Sequence, residues 1–113
     1  MDCLFCKIIS KEIPAKIAYE DTDILAFHDV NPKAPTHILI IPKKHIGTIN
    51  DVTERDNLML GSIINVGKNL AKEFKFSDDG YRLVYNCNRN AGQAVYHIHM
   101  HLLGGRHFTW PPG

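Results

Sequence analysis

A short apolar segment that begins at a histidine places the strongest constraint on how this chain folds. The segment His37–Ile41 contains four consecutive branched apolar residues and is followed directly by Pro42, which cannot continue strand hydrogen bonding. A strand that is apolar at successive positions has to be covered on both of its faces. The segment therefore predicts a strand in the middle of a sheet.

Shorter patterns predict the remaining strands and a first helix. Apolar spacing in Leu4–Ser10 predicts one or two helical turns that end before a proline. Ile17–Tyr19 and Ile24–Phe27 flank a run of turn formers and predict a hairpin. Tyr81–Tyr85 and Val95–Leu103 predict two final strands.

Between these strands the apolar pattern predicts one long helix. Asp51 with Glu54 three residues later resembles a capping box, so we expect the helix to open there. The apolar positions then recur at helical spacing up to about Phe76, at Met59, Ile63, Val66, Leu70 and Phe74. Strands on both sides of one long helix favour an α+β fold with an antiparallel sheet.

Size and charge exclude several classes of protein. A chain of 113 residues fits one domain, which we expect to span residues 1–113. The net charge of +1 argues against a nucleic-acid binder with a broad basic face. No apolar run approaches the ~20 residues that span a bilayer. The start Met1–Lys7 lacks the pattern of a secretory signal, so we expect a cytoplasmic protein.

Histidine is over-represented, with seven in the chain and three of them in the segment Tyr96–His101. On a strand alternate side chains share a face, which places His97, His99 and His101 on one side and Ile98, Met100 and Leu102 on the other. Three such imidazoles could bind a metal, hold an anion, or supply a nucleophile with its helpers. The apolar opposite side predicts a sheet that is buried on one face and functional on the other.

Two of the three cysteines form the pair Cys3-x-x-Cys6. Without a secretory signal this spacing indicates metal binding, a redox pair or two structural thiols. The sequence has no second Cys-x-x-Cys pair that would decide between these three. Cys87 is interpreted as an incidental thiol.

Several separate motifs give the chain a resemblance to a known family. His97–Leu103 matches the histidine triad signature, in which three histidines alternate with apolar residues. Further matches follow in order at Glu12–Lys16, Phe27–Asp29, Ala34–His37, Ile41–His45, Gly92-Gln93, Gly104–Arg106 and Trp110–Gly113. Over essentially its whole length the chain resembles the Hint branch of the histidine triad (HIT) superfamily, the nucleotide-binding purine nucleoside phosphoramidases. The resemblance implies a HIT-like fold and a homodimer whose C-terminal tail, with Trp110, reaches the partner's active site.

The resemblance also implies a covalent mechanism. In this family the middle triad histidine attacks the α-phosphorus of a nucleoside phosphoramidate, such as AMP joined to an amine or lysine, and water hydrolyses the nucleotidyl-histidine. His99 occupies that position, and a neutral imidazole is a competent nucleophile at neutral pH. His101 would hydrogen-bond the phosphate and assist the leaving amine. His37 would join this cluster, although a purely structural histidine is an equal alternative, and no catalytic metal is expected.

The implied nucleotide site draws on several segments. Asn86, Gly92 and Gln93 match positions around the phosphate and leaving group, with Ala94 and Val95 following, and Asp29 matches the carboxylate that accepts the ribose hydroxyls. The apolar slot around the purine would comprise Phe5, Ile8, Ile13, Phe27, His28 and Val30. Ala94 departs from the family pattern, which usually has serine there, so we expect weaker activity than in typical members. Without the resemblance, Phe5, Ile8 and Phe27 would be interpreted as core and Asp29 as a turn residue.

For the cysteine pair the resemblance implies a structural zinc. Some histidine triad proteins bind zinc with this pair, the histidine of the Pro-Lys-Lys-His segment and the first triad histidine. Those positions are Cys3, Cys6, His45 and His97 here, and two thiolates with two imidazoles make a closed tetrahedral site.

Two other functions stay open at this stage. One is a dinucleoside polyphosphate hydrolase of a neighbouring branch, against which the Trp-Pro-Pro-Gly tail argues. The other is a zinc-containing nucleotide-binding or interaction module with little catalysis, to which Ala94 lends slight support. His107 has no assigned role.

Overall fold

The computed structural model describes residues 2–113, in which five strands and two helices form an antiparallel α+β fold. In chain order the elements are α1 (Leu4–Ile9), β1 (Ile17–Glu20), β2 (Ile24–His28), β3 (Thr36–Pro42), α2 (Asn57–Glu73), β4 (Tyr81–Tyr85) and β5 (Met100–Gly104). The strand order is β1-β2-β3-β5-β4, and every neighbouring pair is antiparallel. The predicted fold class and the predicted hairpin are confirmed. Within residues 2–113, neither helix has the length and apolar character needed to cross a membrane.

The predicted central strand is β3, which lies third of five. It pairs with β2 on one side and with β5 on the other, where Leu39 lies opposite His101. Every residue from position 37 to 42 is buried. Both faces of this strand are covered, which explains its continuous apolar run as predicted.

The two faces of the sheet are covered by different helices. Ile38 and Ile40 of β3 pack with α2, whose residues Ile63 and Leu70 face the same core. Leu39 and Ile41 point the other way and pack with the short helix α1. Because His37 alternates in step with Leu39 along β3, it lies on the α1 side.

The start of α2 differs from the prediction. Asp51 closes a capping box with Thr48 around a single 3₁₀ turn, Ile49–Asp51, and a second box formed by Thr53 and Asp56 surrounds the turn Glu54–Asp56. Each threonine satisfies the first backbone donors of its own turn, so the chain forms two short turns before the long helix begins at Asn57. The prediction that the helix opens at Asp51 and Glu54 was therefore wrong.

The final strand, β5, also begins later than the predicted segment Val95–Leu103. Regular pairing begins at Met100, opposite Ile40 of β3. Before that point the chain bonds to the segment that follows β3: the backbone N–H of Ile98 donates to the Ile46 carbonyl at 2.8 Å, and the His97 ring lies 2.7 Å from the Pro42 carbonyl. His97 and His99 thus precede the strand, and only His101 lies within it.

Candidate active site

A cavity of about 620 Å³ opens on the α1 side of the sheet. It contains most of the residues predicted from the sequence to form the nucleotide site. Those that line it are Phe5, Ile8, Ile13, Phe27, His28, Asp29, Val30, Ala94, Val95, His99 and His101.

Helix α1 provides the apolar wall of this cavity. The helix starts because the Cys3 side chain accepts a hydrogen bond from the Cys6 backbone N–H, which caps its first turn. Phe5 and Ile8, one turn apart, are buried against the sheet. The Phe5 ring meets the Phe27 ring and the His99 ring edge-on, with centroid distances of 5.3 and 5.1 Å. Phe5 therefore serves both the core and the wall of the cavity.

His99 is held with one ring nitrogen committed to the backbone. Its Nδ1 lies 2.8 Å from the His97 carbonyl, and because a carbonyl oxygen only accepts, Nδ1 carries the proton. The lone pair is consequently on Nε2. Burial lowers the pKa of His99, and this outweighs the hydrogen bond to the His97 carbonyl and the charge of Asp29, which both raise it. His99 is thus neutral at pH 7 with an unprotonated Nε2, as a nucleophile requires.

His37 sets the proton position of His101. The Lys33 backbone N–H donates to Nδ1 of His37 at 3.0 Å, so the proton of the neutral His37 ring is on Nε2. That Nε2 lies 2.8 Å from Nδ1 of His101 and donates to it. The proton of His101 is therefore on Nε2, which is buried and has no hydrogen-bond partner among residues 2–113. His101 also lines the cavity, and this unpaired N–H is covered from solvent.

The charges around His101 favour its neutral form. Burial lowers the pKa of His101 to about 4, and the neighbouring His99 and His37 rings act in the same direction. Burial also lowers the pKa of His37, although Asp29 opposes the change. The Asp29 carboxylate lies 3.5 Å from Nε2 of His37 and also accepts the Asn31 backbone N–H at 2.8 Å. Asp29 is therefore both a turn residue and a cavity residue.

Other predicted site residues lie outside the cavity wall. The Gln93 side chain donates to the carbonyls of Gly47 and Val95 and accepts the Asn88 backbone N–H, so it holds the loop together. Gly92 has φ of +79°, a conformation that favours glycine. Asn86, Gly92, Gln93 and His37 do not line the cavity, and the contacts of the first three with a phosphate stay predictions.

The C-terminal tail lies on the surface of its own chain only as far as Thr109. The Phe108 ring lies against the guanidinium groups of Arg82 and Arg106, and Arg82 donates to the Thr109 carbonyl at 2.9 Å. Trp110 is 82% exposed. Its predicted role at a partner's site stays a prediction.

The four residues predicted to bind zinc come together. Their ligand atoms all lie within 4.8 Å of one another. The Nδ1 atom of His97 is 3.4 Å from the Cys3 sulfur, 3.7 Å from the Cys6 sulfur and 3.1 Å from Nδ1 of His45. Tetrahedral zinc has bonds of about 2.0–2.1 Å to nitrogen and 2.3 Å to sulfur, which place its ligand atoms about 3.3–3.8 Å apart. The group is therefore one that could hold a metal ion.

The hydrogen bonds around His97 also fit a metal ligand. Its Nε2 lies 2.7 Å from the Pro42 carbonyl and must donate to it, so the lone pair is on Nδ1 and faces the other three ligand atoms. Such a second bond commonly fixes the orientation of a ligating histidine. This residue connects the two sites, because its side chain belongs to the metal group and its carbonyl holds His99.

Sequence reasoning missed several residues that line the cavity. The most informative is Leu39 of β3, which is 6% exposed and shares a face with His37. The alternation of β3 could have identified it. The others are Leu4 and Asn31, together with Pro14, Ala15 and Lys16 of the matched segment Glu12–Lys16, which had been given no site role.

Comparison with known proteins identifies the family of this chain. The HIT domain family matches residues 10–108. The chain is 52% identical over 105 residues to the purine nucleoside phosphoramidase of Escherichia coli, and the match covers 93% of this chain and 88% of that protein.

Solved structures of histidine triad proteins are also similar to this chain. A HIT family hydrolase from Legionella pneumophila is 60% identical with a TM-score of 0.98, over 99% of this chain and 100% of that one. A histidine triad protein from Clostridium difficile is 43% identical with a TM-score of 0.93, over 96% of this chain and 95% of that one. Since the family match and these relatives extend over most of its length, the chain belongs to the HIT family.

Proposed function

We propose that this protein is a hydrolase that cleaves the P–N bond of purine nucleoside phosphoramidates through a nucleotidyl-histidine at His99. One observation carries the proposal: a single cavity is lined by His99, whose Nε2 is unprotonated, and by His101, whose Nε2 carries a proton without a hydrogen-bond partner among residues 2–113. A nucleophile and an N–H donor are what the transfer of a phosphoryl group from an amine needs. The similarity to a purine nucleoside phosphoramidase supports this choice of bond.

The proposed reaction has two steps. Nε2 of His99 attacks phosphorus, the P–N bond breaks, and the departing nitrogen takes a proton from solvent, while the neutral His101 keeps its Nε2 proton. Nδ1 of His99 keeps its proton throughout, so the ring becomes positively charged while its N–H donates to the His97 carbonyl. In the second step water attacks phosphorus, His99 leaves as a neutral imidazole, and the proton of the water is released to solvent.

The nucleoside would lie along the α1 wall of the cavity. The side chains of Phe5, Ile8 and Phe27 offer an apolar surface for the purine. Val30 lines the cavity with 90% of its surface exposed, as expected of a rim residue that a ligand covers. Asp29 has acceptor oxygens for the ribose hydroxyls. Phe5, Ile8 and Phe27 are buried even without a ligand, which explains why the sequence alone would assign them to the hydrophobic core.

The turnover of an adenosine phosphoramidate tests the proposal. We expect His99→Ala to lower kcat by at least about 10³-fold, because the nucleophile is lost. His107→Ala is the matched control, since His107 is exposed and outside the cavity. Equal turnover by His99→Ala and the unsubstituted protein would exclude the covalent mechanism.

The metal group is best explained by a structural zinc. All four ligands are protein side chains, which leaves no open position of the kind that catalytic zinc needs. When bound, the ion would cross-link the start of α1 to two other segments, the one that follows β3 and the one that precedes β5. Cys6 of α1 and Cys3, the residue that caps this helix, would hold it together with His45 from the segment after β3 and His97 from the segment before β5.

Metal analysis of protein purified without chelators tests this assignment. We expect close to one zinc per chain in the unsubstituted protein and a large loss in Cys6→Ser. Cys87→Ser makes the same chemical change outside the metal group and should keep the zinc. Equal zinc contents in the two variants would contradict the assignment.

We also propose a cytoplasmic homodimer in which the sheet continues from one protomer to the other. β4 is an edge strand, paired only with β5, so its outer backbone groups are available to a second copy. The exposed Trp110 has an aromatic side chain suited to covering the partner's cavity. Two thiol ligands also favour a reducing compartment. Light scattering would give the mass of two chains, and the mass of one would contradict the dimer.

A further inference from the structure

The loop between β2 and β3, residues 29–35, determines where two active-site histidines carry their protons. The Lys33 backbone N–H donates to Nδ1 of His37, and Nε2 of His37 donates in turn to Nδ1 of His101. Lys33 itself is exposed, and exposed loops are usually the more mobile parts of a fold. The proton positions in the site therefore depend on whatever holds Lys33 in place.

The turn that follows β5 holds this loop from the other side. Nε of Arg106 donates to the Lys33 carbonyl at 3.0 Å. The adjacent Gly105 has φ of +95°, and a Cβ atom at this position would lie only 2.9 Å from Cβ of Pro35. Glycine permits both the conformation and the close approach. Lys33 is thus fixed by two hydrogen bonds, one from its N–H to His37 and one to its carbonyl from Arg106.

The Arg106 side chain is itself held in one position. Its guanidinium lies 4.2 Å from the centre of the Phe108 ring, and Nη1 donates to the His107 carbonyl at 3.0 Å. A planar guanidinium that already lies over an aromatic ring loses little further freedom when it forms a hydrogen bond. The turn therefore offers Nε to the loop from a preorganised side chain.

A second proton arrangement becomes available if Lys33 moves away. A neutral His37 ring with no donor at Nδ1 can carry its proton on that atom, and its Nε2 then accepts a hydrogen bond. Nδ1 of His101 would have to donate this bond, so Nε2 of His101 would carry no proton. The N–H donor that phosphoryl transfer needs would be lost, although both rings would remain in place.

We propose that Arg106 is a positioning residue: by fixing Lys33 it keeps the protons of both histidines where the reaction needs them. Neither Arg106 nor Lys33 lines the active-site cavity, so the effect passes through the histidine rings. This gives a role to the matched motif Gly104–Arg106, which the proposed mechanism does not otherwise use. The consequence for catalysis rests on the proposed P–N hydrolysis, whereas the proton arrangement is a property of the protein without substrate.

Three substitutions separate this role from general packing of the C-terminal tail. Arg106→Met removes every donor from a side chain of similar length. Arg106→Gln keeps an N–H on the nitrogen bonded to Cδ, which is the position of Nε in arginine. Arg82→Met is the matched control, because Arg82 lies 5.3 Å from the centre of the same Phe108 ring but donates to the Thr109 carbonyl.

Nitrogen-15 NMR of the histidine rings at pH 7 shows which nitrogen of His37 and His101 carries the proton. We expect Nε2 in the unsubstituted protein, in Arg106→Gln and in Arg82→Met. Arg106→Met should shift the equilibrium towards Nδ1 by about two- to tenfold, the worth of one hydrogen bond, and should lower kcat for an adenosine phosphoramidate by a factor in the same range. Arg106→Gln should keep kcat near that of the unsubstituted protein.

The outcomes distinguish the positioning role from the proposed function. An unchanged equilibrium in Arg106→Met, or an equal shift in Arg82→Met, would overturn the positioning role. A shift in Arg106→Met with unchanged kcat would overturn its importance for the reaction. If the unsubstituted protein cleaves no phosphoramidate, the proposed function is wrong, and a shift confined to Arg106→Met would still support the control of the proton positions by Arg106.

Discussion

The active-site histidines should remain neutral at a pH well below the range in which an ordinary histidine gains a proton. Burial lowers the pKa of His101 from 6.5 to about 4, with His99 and His37 adding to the effect. At pH 5.5 a histidine of pKa 6.5 is about 90% protonated, whereas one with a pKa of about 4 is only about 3% protonated. His101 would therefore keep its lone pair on Nδ1 and its hydrogen bond from His37.

The same reasoning applies to the proposed nucleophile, His99. Burial lowers the pKa of His99, although the His97 carbonyl and Asp29 both act against it. The value of kcat/KM depends on the fraction of protein in which Nε2 of His99 is unprotonated. We therefore expect kcat/KM to stay close to its plateau at pH 6.5 and to fall only at lower pH.

The assay is the pH dependence of kcat/KM for an adenosine phosphoramidate, corrected for hydrolysis without enzyme at each pH. A half-maximal value at or above pH 6.5 would refute the reasoning. Asp29→Asn provides an independent check, because it removes a charge that raises the pKa of His99. An NMR titration of the His99 ring should then show a pKa below that of the unsubstituted protein, and a rise would contradict the account.

Three further predictions concern activity and stability. Ala94→Ser should raise phosphoramidate turnover, by up to about 10²-fold, because it restores a hydroxyl donor beside the phosphate; unchanged turnover would count against this. Gly104→Ala should lower the free energy of unfolding by about 1–3 kcal/mol, because its Cβ would overlap the Phe76 ring. Gly61→Ala, which meets no atom within 4 Å, should not lower that free energy, and equal denaturation midpoints for the two variants would contradict the packing argument. The free energy of unfolding should also fall as the pH drops from 6.5 towards 4, because the unfolded chain protonates His101 in this range and the folded protein does not. A flat pH dependence of denaturant unfolding across that range would contradict this last expectation.

The fold follows from periodic patterns that the sequence displays openly. The apolar run of β3 predicted a central strand, and the spacing of Ile63, Val66 and Leu70 predicted the buried face of α2, since both patterns depend only on which residues are apolar. The residues at which the helices and strands begin were harder to predict from the sequence. The position of Asp51 in a separate turn depends on the competing cap offered by Thr48, which is a local choice between two similar side-chain acceptors.

Most of the residues that line the candidate cavity could be predicted from the sequence, but their geometry could not. The alternation of histidines indicated a functional face, but it could not show that the strand starts only at Met100. That start depends on His97, whose ring donates to Pro42 from a distant segment. The proton positions on His99 and His101 depend in the same way on backbone groups of His97 and Lys33, which no sequence pattern specifies.

The covalent intermediate is the central claim, and its direct observation is the most decisive measurement. The protein would be mixed with an adenosine phosphoramidate, quenched within the first turnover under conditions that preserve the histidine–phosphorus bond, and digested for mass spectrometry. The account predicts one adenylyl group on the peptide that contains His99, formed at a rate at least equal to kcat. Steady turnover with no adduct on that peptide, or an adduct on a different histidine, would contradict it.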